Sequence, residues 1–335
     1  MRPRVRLPNC LNPDWLLPEA TSTSRAVLVA GGINADVLGR TLAAPALHTS
    51  NPALAGVTPG GVARNIAEHL ARLLPTGLPV RLLGAVGTDP LGVGVLEATA
   101  AAGVDVSGVL RLPGQTGMYL AVLDECGELH IGLAAMTLTD SLTPEATAHW
   151  KAEVAGTSLL VLDANLPAGT VTALLRTAQE SGVRAILEPV SAPKAARLWA
   201  ALQRQPLDLF LIKPDRAELE AMTGLQDPEQ AAQALLAQGV QNVLRTLGAA
   251  GSVLYRAGQP PLHTPAPAAS VQDVTGAGDS LVAGLCAALV RGLTLPEAVK
   301  VGHACAALTV ASARTVPEEL NWEAVAGGGV VARGL

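Results

Sequence analysis

The chain has 335 residues, a net charge of −5 and a hydrophobic fraction of 49%, enough apolar material for one large α/β domain or two ordinary ones. This acidic balance gives no electrostatic footprint for nucleic acid or an anionic membrane. Aromatics at 2% leave the core to Ala, Val and Leu.

Residues 1–24 read as a loose N-terminal tail. Arg2, Arg4 and Arg6 are followed by prolines rather than an apolar run, so no secretory signal forms. Order begins at Ala26–Ala30, a short apolar run of parallel-strand type closed by Gly31 and Gly32. Residues 41–63 are nearly uncharged, yet Pro45, Pro52 and Pro59 rule out a spanning helix. Arg64–Leu74 then reads as a helix, Val80–Ala85 as a strand and Leu91–Ala102 as a helix.

Thr116–Asp124 and Glu128–Ala134 read as two strands joined by a turn at Glu125-Cys126-Gly127. Strands are next expected at Leu159–Leu162, Ala185–Glu188, Leu209–Ile212 and Asn242–Arg245, each separated by helical sequence. Helices at Ala277–Arg291 and Leu295–Ala311 close the chain, before the glycine run at 327–329. Repeated strand–helix units predict a mostly parallel sheet covered on both faces, a three-layer α/β/α arrangement. The hairpin and Val37–Ala55 do not fit that layer. They predict a small β lid, built from roughly 37–58 and 114–136, on one domain spanning 25–335. Cys10, Cys126, Cys286 and Cys305 stand apart with no C-x-x-C pair, which gives no metal-ligand spacing and fits a reducing cytoplasm.

Three segments carry chemistry. In Asp273–Ser280 a glycine turn opens an apolar helix, so backbone N–H groups and the helix dipole face outward toward an anion. A carboxylate in that turn, Asp279, would repel a phosphate unless it sits between phosphate and attacking hydroxyl and takes the hydroxyl's proton. Gly60-Gly61 opens another helix, where Asn65 can donate to and accept from a hydroxyl. Gly31–Asp36 lies at the carboxyl end of the first strand, where ligands of open α/β sheets bind. Asp36 there can accept from two vicinal hydroxyls.

Together these segments resemble the signatures of the ribokinase-like, or pfkB, carbohydrate kinases, in order and spacing across residues 26–320. The resemblance implies ATP and Mg²⁺ as cofactors, a small-molecule sugar or nucleoside substrate, and Asp279 as catalytic base. Gly276, Ala277 and Gly278 resemble the anion hole, and Asn34, Asp36, Gly60, Gly61 and Asn65 the sugar-binding set. Lys213–Glu218 resembles the element near Mg²⁺, with Glu218 kept and Asp215 standing where the family has Asn. Thr246, Gly248 and His303 fall where the nucleotide is met, and Asp273 with Thr275 where some relatives hold K⁺. His303 equally suits a satisfied core histidine. In this family the lid can also pair two copies into a homodimer.

Thr58–Ala67, Pro189–Ala192 and Lys213–Glu218 are similar to the pseudouridine-phosphorylating branch. The ribokinase branch carries Lys-Gly where Ala63-Arg64 stands here. Ala63 and Glu188 depart from the pseudouridine branch, which has Gly and Asp there. Asn165, at a strand end, is expected to meet the nucleoside, and Thr116, Met118 and Leu133 on the hairpin to cover its base. The function so implied is transfer of the ATP γ-phosphoryl group to the 5′-hydroxyl of pseudouridine. Ribose or another nucleoside as acceptor stays open, as does a non-catalytic sensor, although a sensor needs neither Asp279 nor the glycine turn. The first turn lacks G-x-G-x-x-G, which speaks against a dinucleotide-dependent dehydrogenase.

Overall fold

The structure is a computed structural model that describes residues 26–204 and 207–327; the N-terminal tail of residues 1–24 with Cys10, and the last two glycines of the 327–329 run, lie outside them. The first strand, β1 (Val27–Ala30), leads into a hairpin of β2 (Asn34–Thr41) and β3 (Ala53–Gly60). α1 (Val62–Leu73), β4 (Val80–Gly87), α2 (Pro90–Ala101) and β5 (Val109–Leu112) follow, then the hairpin β6 (Gly117–Leu123) and β7 (Leu129–Ala135). Strand and helix next alternate through α3 (Trp150–Ala155), β8 (Leu159–Asp163), α4 (Ala168–Glu180), β9 (Arg184–Glu188) and α5 (Ala192–Leu202). β10 (Leu211–Ile212), α6 (Arg216–Thr223), α7 (Pro228–Ala237), β11 (Asn242–Thr246), β12 (Ser252–Arg256) and β13 (Leu262–Thr264) complete the strands. α8 (Ala277–Val290), α9 (Leu295–Val310) and α10 (Trp322–Gly327) end the described chain.

The main sheet has nine strands in the order β13-β12-β11-β10-β9-β8-β1-β4-β5. Its run from β11 to β5 is parallel, whereas β12 and β13 are antiparallel additions at one edge. Alternate residues of β1 feed two cores. Val27 and Val29 pack with α1, α8 and α9, and Leu28 and Ala30 with α4 to α7. A period of two with both faces apolar is the pattern of a strand buried between helix layers. Small residues let those layers close tightly: a Cβ on Gly284 of α8 would lie 2.5 Å from Cys305 Sγ on α9. This packing explains how a core with so few aromatics fills its volume.

A second sheet of four strands, in the order β3-β2-β6-β7, stands apart from the first. β2 pairs antiparallel with β3 and parallel with β6. The segment that did not fit the main layer is therefore a full hairpin running from Asn34 to Gly60. Two strand expectations shift. The run at Leu209–Ile212 shortens to Leu211–Ile212, with Leu209 in an isolated bridge to Val240, and β5, β12 and β13 are additional strands. No helix among the described residues is long and apolar enough to cross a membrane.

Candidate active site

α1 begins against the carboxyl ends of β1 and β8, and α8 begins beside it; both start on a glycine with no side-chain cap, Gly61 and Gly276. By contrast α2, α6, α7 and α9 are each capped, by Asp89, Asp215, Asp227 and Thr294. First-turn N–H groups have no intrahelical acceptor, so the start of α8 leaves donors for an anion, whereas at α1 the Ala63 N–H meets Asp163 and the Arg64 N–H meets the Gly32 carbonyl. Gly276 is left-handed, at φ 78°, and a Cβ there would meet Thr315 Cγ2 at 2.6 Å, so the turn requires glycine. The Ala277 N–H turns back to the Val274 carbonyl at 3.3 Å. Of the three N–H groups expected to form an anion hole, that of Ala277 is therefore engaged within the turn.

Asp279 is buried in the first turn of α8, and its Oδ2 accepts from Asn65 Nδ2 at 2.9 Å. Burial raises its pKa to about 6; Asn65 and Lys213 pull it down, while Asp163 and Asp36 push it up. Asn34 Nδ2 donates to Asp36 Oδ1 at 2.6 Å. Burial also raises Asp36, against the hydrogen bond from Asn34 and the charge of Arg64. Gly60 leaves room for this carboxylate, since a Cβ there would lie 2.3 Å from Asp36 Oδ2. The expected set Asn34, Asp36, Gly60, Gly61, Asn65 and Asp279 thus comes together from β2, β3, α1 and α8.

Three neighbouring strands end in charged residues whose roles the sequence reading left unassigned. Asp163, closing β8, is fully buried and ties two glycine turns together. Its Oδ2 accepts from the Gly32 and Ala63 N–H groups, both at 2.9 Å. Glu188, closing β9, lies 3.0 Å from Lys213 Nζ, just beyond β10. That ammonium sits under the start of α8, where a Cβ on Gly278 would come within 3.4 Å of it. Burial pulls Lys213 down, but Glu188, Glu218 and Asp279 more than offset this and keep it charged. Charged residues closing apolar strands at a ligand-binding sheet edge are a legible signal.

Burial raises Glu188 to about 7, opposed by Lys213 and reinforced by Asp279. Burial likewise raises Glu218 to about 7, and Glu188 adds to the shift. A carboxylate held so reluctantly ionic suits a site completed by a cation. Among the described residues no group of three or more His, Cys, Asp or Glu gathers into a ready metal cage. The arrangement fits Mg²⁺ that arrives on nucleotide phosphates, keeps its waters and takes few protein ligands.

Other expected contacts are redirected. Strand register places Val37, Leu120 and Leu133 in line, and Ala35, Met118 and Ala135 in the next row. Asp36 aligns instead with Thr58, Tyr119 and Ala134. Directly paired residues share a face, so Met118 and Leu133 lie on the face opposite Asp36, away from the side that carries the expected ribose contact. Thr116 Oγ1 accepts from the Gly87 N–H and donates to Asp89, which makes it a loop strut. Asn165 donates to Asp163 at 3.0 Å and accepts from Lys194 at 2.5 Å, which fixes its amide between those two side chains.

Asp215 and Glu218 form a reciprocal capping box on α6, at 2.8 Å in both directions. Asp215 is exposed there, whereas Glu218 is buried. Thr246 ends β11 with its N–H on the Pro214 carbonyl at 3.0 Å, and exposed Gly248 opens the following turn. His303 is buried on α9 with Nε2 2.7 Å from Ser252 Oγ, and burial lowers its pKa to about 4. It has the environment of a neutral core histidine. Asp273 Oδ1 accepts from both the N–H and the hydroxyl of Thr275, at 2.8 and 2.7 Å.

The chain resembles known proteins along most of its length. The model of the pfkB family carbohydrate kinases matches residues 25–320. The pseudouridine kinase of Escherichia coli (strain K12) is 30% identical over 303 residues, covering 88% of this chain and 93% of that protein. The pseudouridine kinase of Arabidopsis thaliana is 27% identical over 367 residues, covering 90% and 94%. Among solved structures, a carbohydrate kinase from Agrobacterium tumefaciens superimposes with a TM-score of 0.77 at 33% identity, covering 90% of this chain and 96% of that one. The ribokinase of Arabidopsis thaliana, solved with ribose and ATP, gives a TM-score of 0.79 at 24% identity, covering 91% and 98%, and attests the fold. With the family pattern spanning both sheets and every element of the site, the chain belongs to the pfkB family of carbohydrate kinases, phosphotransferases that act on a hydroxyl group.

Proposed function

We propose that the chain transfers the ATP γ-phosphoryl group to the 5′-hydroxyl of a ribose-type nucleoside, with pseudouridine as the preferred acceptor. The observation that carries this reading is the buried Asp279, hydrogen-bonded to Asn65 at the uncapped start of α8. The acceptor oxygen forms the new P–O bond as the bond to the ADP oxygen breaks, and its proton passes to Asp279 late in transfer. The N–H groups of Gly278 and Asp279, with the Lys213 ammonium beneath them, face the charge on the transferring group. Glu218 would hold Mg²⁺, which when bound would neutralise phosphate charge. Asp36 binds the ribose hydroxyls before transfer begins. A K⁺ beside the anion hole, at Asp273 and Thr275, belongs to the same reading.

Pseudouridine and uridine share the ribose, and pseudouridine presents one additional imino N–H on its base. A site that prefers pseudouridine must read that edge with a polar group. On Asp36's face of the second sheet, Thr58 and Tyr119 are the aligned polar side chains, and they are the candidates. The likeness to two pseudouridine kinases supports the choice. A buried partner left unpaired by uridine costs about 1–3 kcal/mol, roughly ten- to a hundredfold. Competition among pseudouridine, uridine, adenosine and ribose at equal concentration tests the choice, with pseudouridine expected to show the highest kcat/KM. A win for ribose or adenosine would reject the pseudouridine assignment while leaving the kinase in place. The second sheet acts in this reading as a lid, and its outer face pairs two copies.

A further inference from the structure

Arg64 is almost fully buried, with 5% of its surface exposed, although it sits in the first turn of a helix whose dipole disfavours a cation there. All three nitrogens of its guanidinium are engaged. Nη1 donates to Asn65 Oδ1 at 2.9 Å and to the Pro59 carbonyl at 3.1 Å. Nε donates to Thr99 Oγ1 at 3.3 Å, and Nη2 pairs with Glu68, which also accepts from Arg72 at 2.8 Å. Burial lowers its pKa to about 10, and the charges of Asp36 and Asp279 counter that. Stability alone offers little reason for such a residue, because an apolar side chain would fill the space without a buried charge.

A guanidinium only donates, and an ionised carboxylate only accepts. The Asn65 amide lies between one of each. With Oδ1 toward Arg64, Nδ2 is left for Asp279, as observed. Turned over, the amide would set oxygen against carboxylate and N–H against N–H, so Arg64 removes that state. We propose that Arg64 is a positioning residue for phosphoryl transfer, acting through Asn65 to hold the amide in the one orientation that donates to Asp279 Oδ2 and leaves Asp279 Oδ1 for the acceptor hydroxyl. The inference rests on Asp279 being the base. Besides Arg64 itself, the charged groups facing Asp279 are Lys213 beyond β10, Glu188 at the end of β9, Asp163 at the end of β8 and Asp36 of β2. None of these touches the Asn65 oxygen in the hydrogen-bond network, so none replaces Arg64 in orienting the amide.

The test is a mutant cycle with a pH profile. Arg64→Met should lower kcat roughly 10- to 100-fold, the scale of a slightly misplaced reacting group, with a smaller change in KM. The acid limb of its kcat/KM profile should move to higher pH, because Asp279 loses a donor that favours its charged form. In an Asn65→Ala background the same substitution should change kcat by less than about threefold, since the two residues act as one unit. Arg64→Lys, which keeps the charge and loses the fork, should also lower kcat, and it replaces the Met variant in the cycle if that chain does not fold. Equal losses in both backgrounds, or an acid limb left at its wild-type position, would overturn the proposal. Asp279→Asn separates the two readings. If it is inactive while the Arg64 variants match wild type, only the role of Arg64 falls; if it stays active, the assignment of the base falls first.

Discussion

Asp279 must be ionised to accept a proton, yet its surroundings favour the neutral form until the pH rises past about 6, chiefly through burial. The sign follows directly. Because the value is raised, the proton returns near pH 6 rather than near 4, so kcat/KM should fall about tenfold per pH unit below 6. A pH profile of kcat/KM checks this, and an acid limb near 4 would mean that a different group, or a solvated Asp279, does the work. The same shift affects stability in the opposite sense. A carboxylate whose folded value is raised contributes stability at low pH, and this is lost as pH rises through the folded value. Asp279 and Glu218 therefore weaken the fold in the pH range where they are ionised for chemistry. Asp279, Asn65 and Asp36 were legible in the sequence because each stands beside a glycine turn that packing alone does not demand. Asp163 and Lys213 are marked only as charged ends of apolar strands, and their partners, like those of Arg64, were not legible because they are distant in sequence: Gly32 and Ala63 for Asp163, Glu188 and the start of α8 for Lys213, and Thr99 for Arg64.

At the scale of elements, the alternating units of the main sheet were readable because buried parallel strands are short apolar runs between helices. The second sheet was read only in part. Ala53–Gly60 is exposed along most of its length and carries Gly56 and Pro59, so neither hydrophobicity nor β-propensity marks it as a strand. Its pairing with β2 comes from register across the hairpin. Register also decided the fate of Met118 and Leu133, because a shift of one residue exchanges the faces of a strand. Their face carries exposed Val57 and Leu133, at 55% and 54%, and Ile131 at 47%. If this face pairs two copies, Leu133→Glu should shift the protein from dimer to monomer in sedimentation equilibrium while the fold persists. Wild-type protein that sediments as a monomer at micromolar concentration would remove the pairing.

For the whole molecule, the architecture brings together groups from β2, the ends of β8, β9 and β10, and the starts of α1, α6 and α8. In the proposed function these groups supply hydroxyl recognition at Asp36, anion binding at Gly278, a buried cation at Lys213, a carboxylate for Mg²⁺ at Glu218 and a base at Asp279. Only the last is asked to move a proton, so the account depends on it most. The direct measurement is transfer from ATP with Mg²⁺ to a ribose-bearing acceptor by wild type and by Asp279→Asn, with ATP affinity and thermal stability measured alongside. The account predicts ADP release only when acceptor is present, and a loss of at least ~10²-fold in turnover for the variant, with nucleotide binding and folding retained. Turnover near the wild-type rate in Asp279→Asn, or ADP release that no acceptor stimulates, would contradict it.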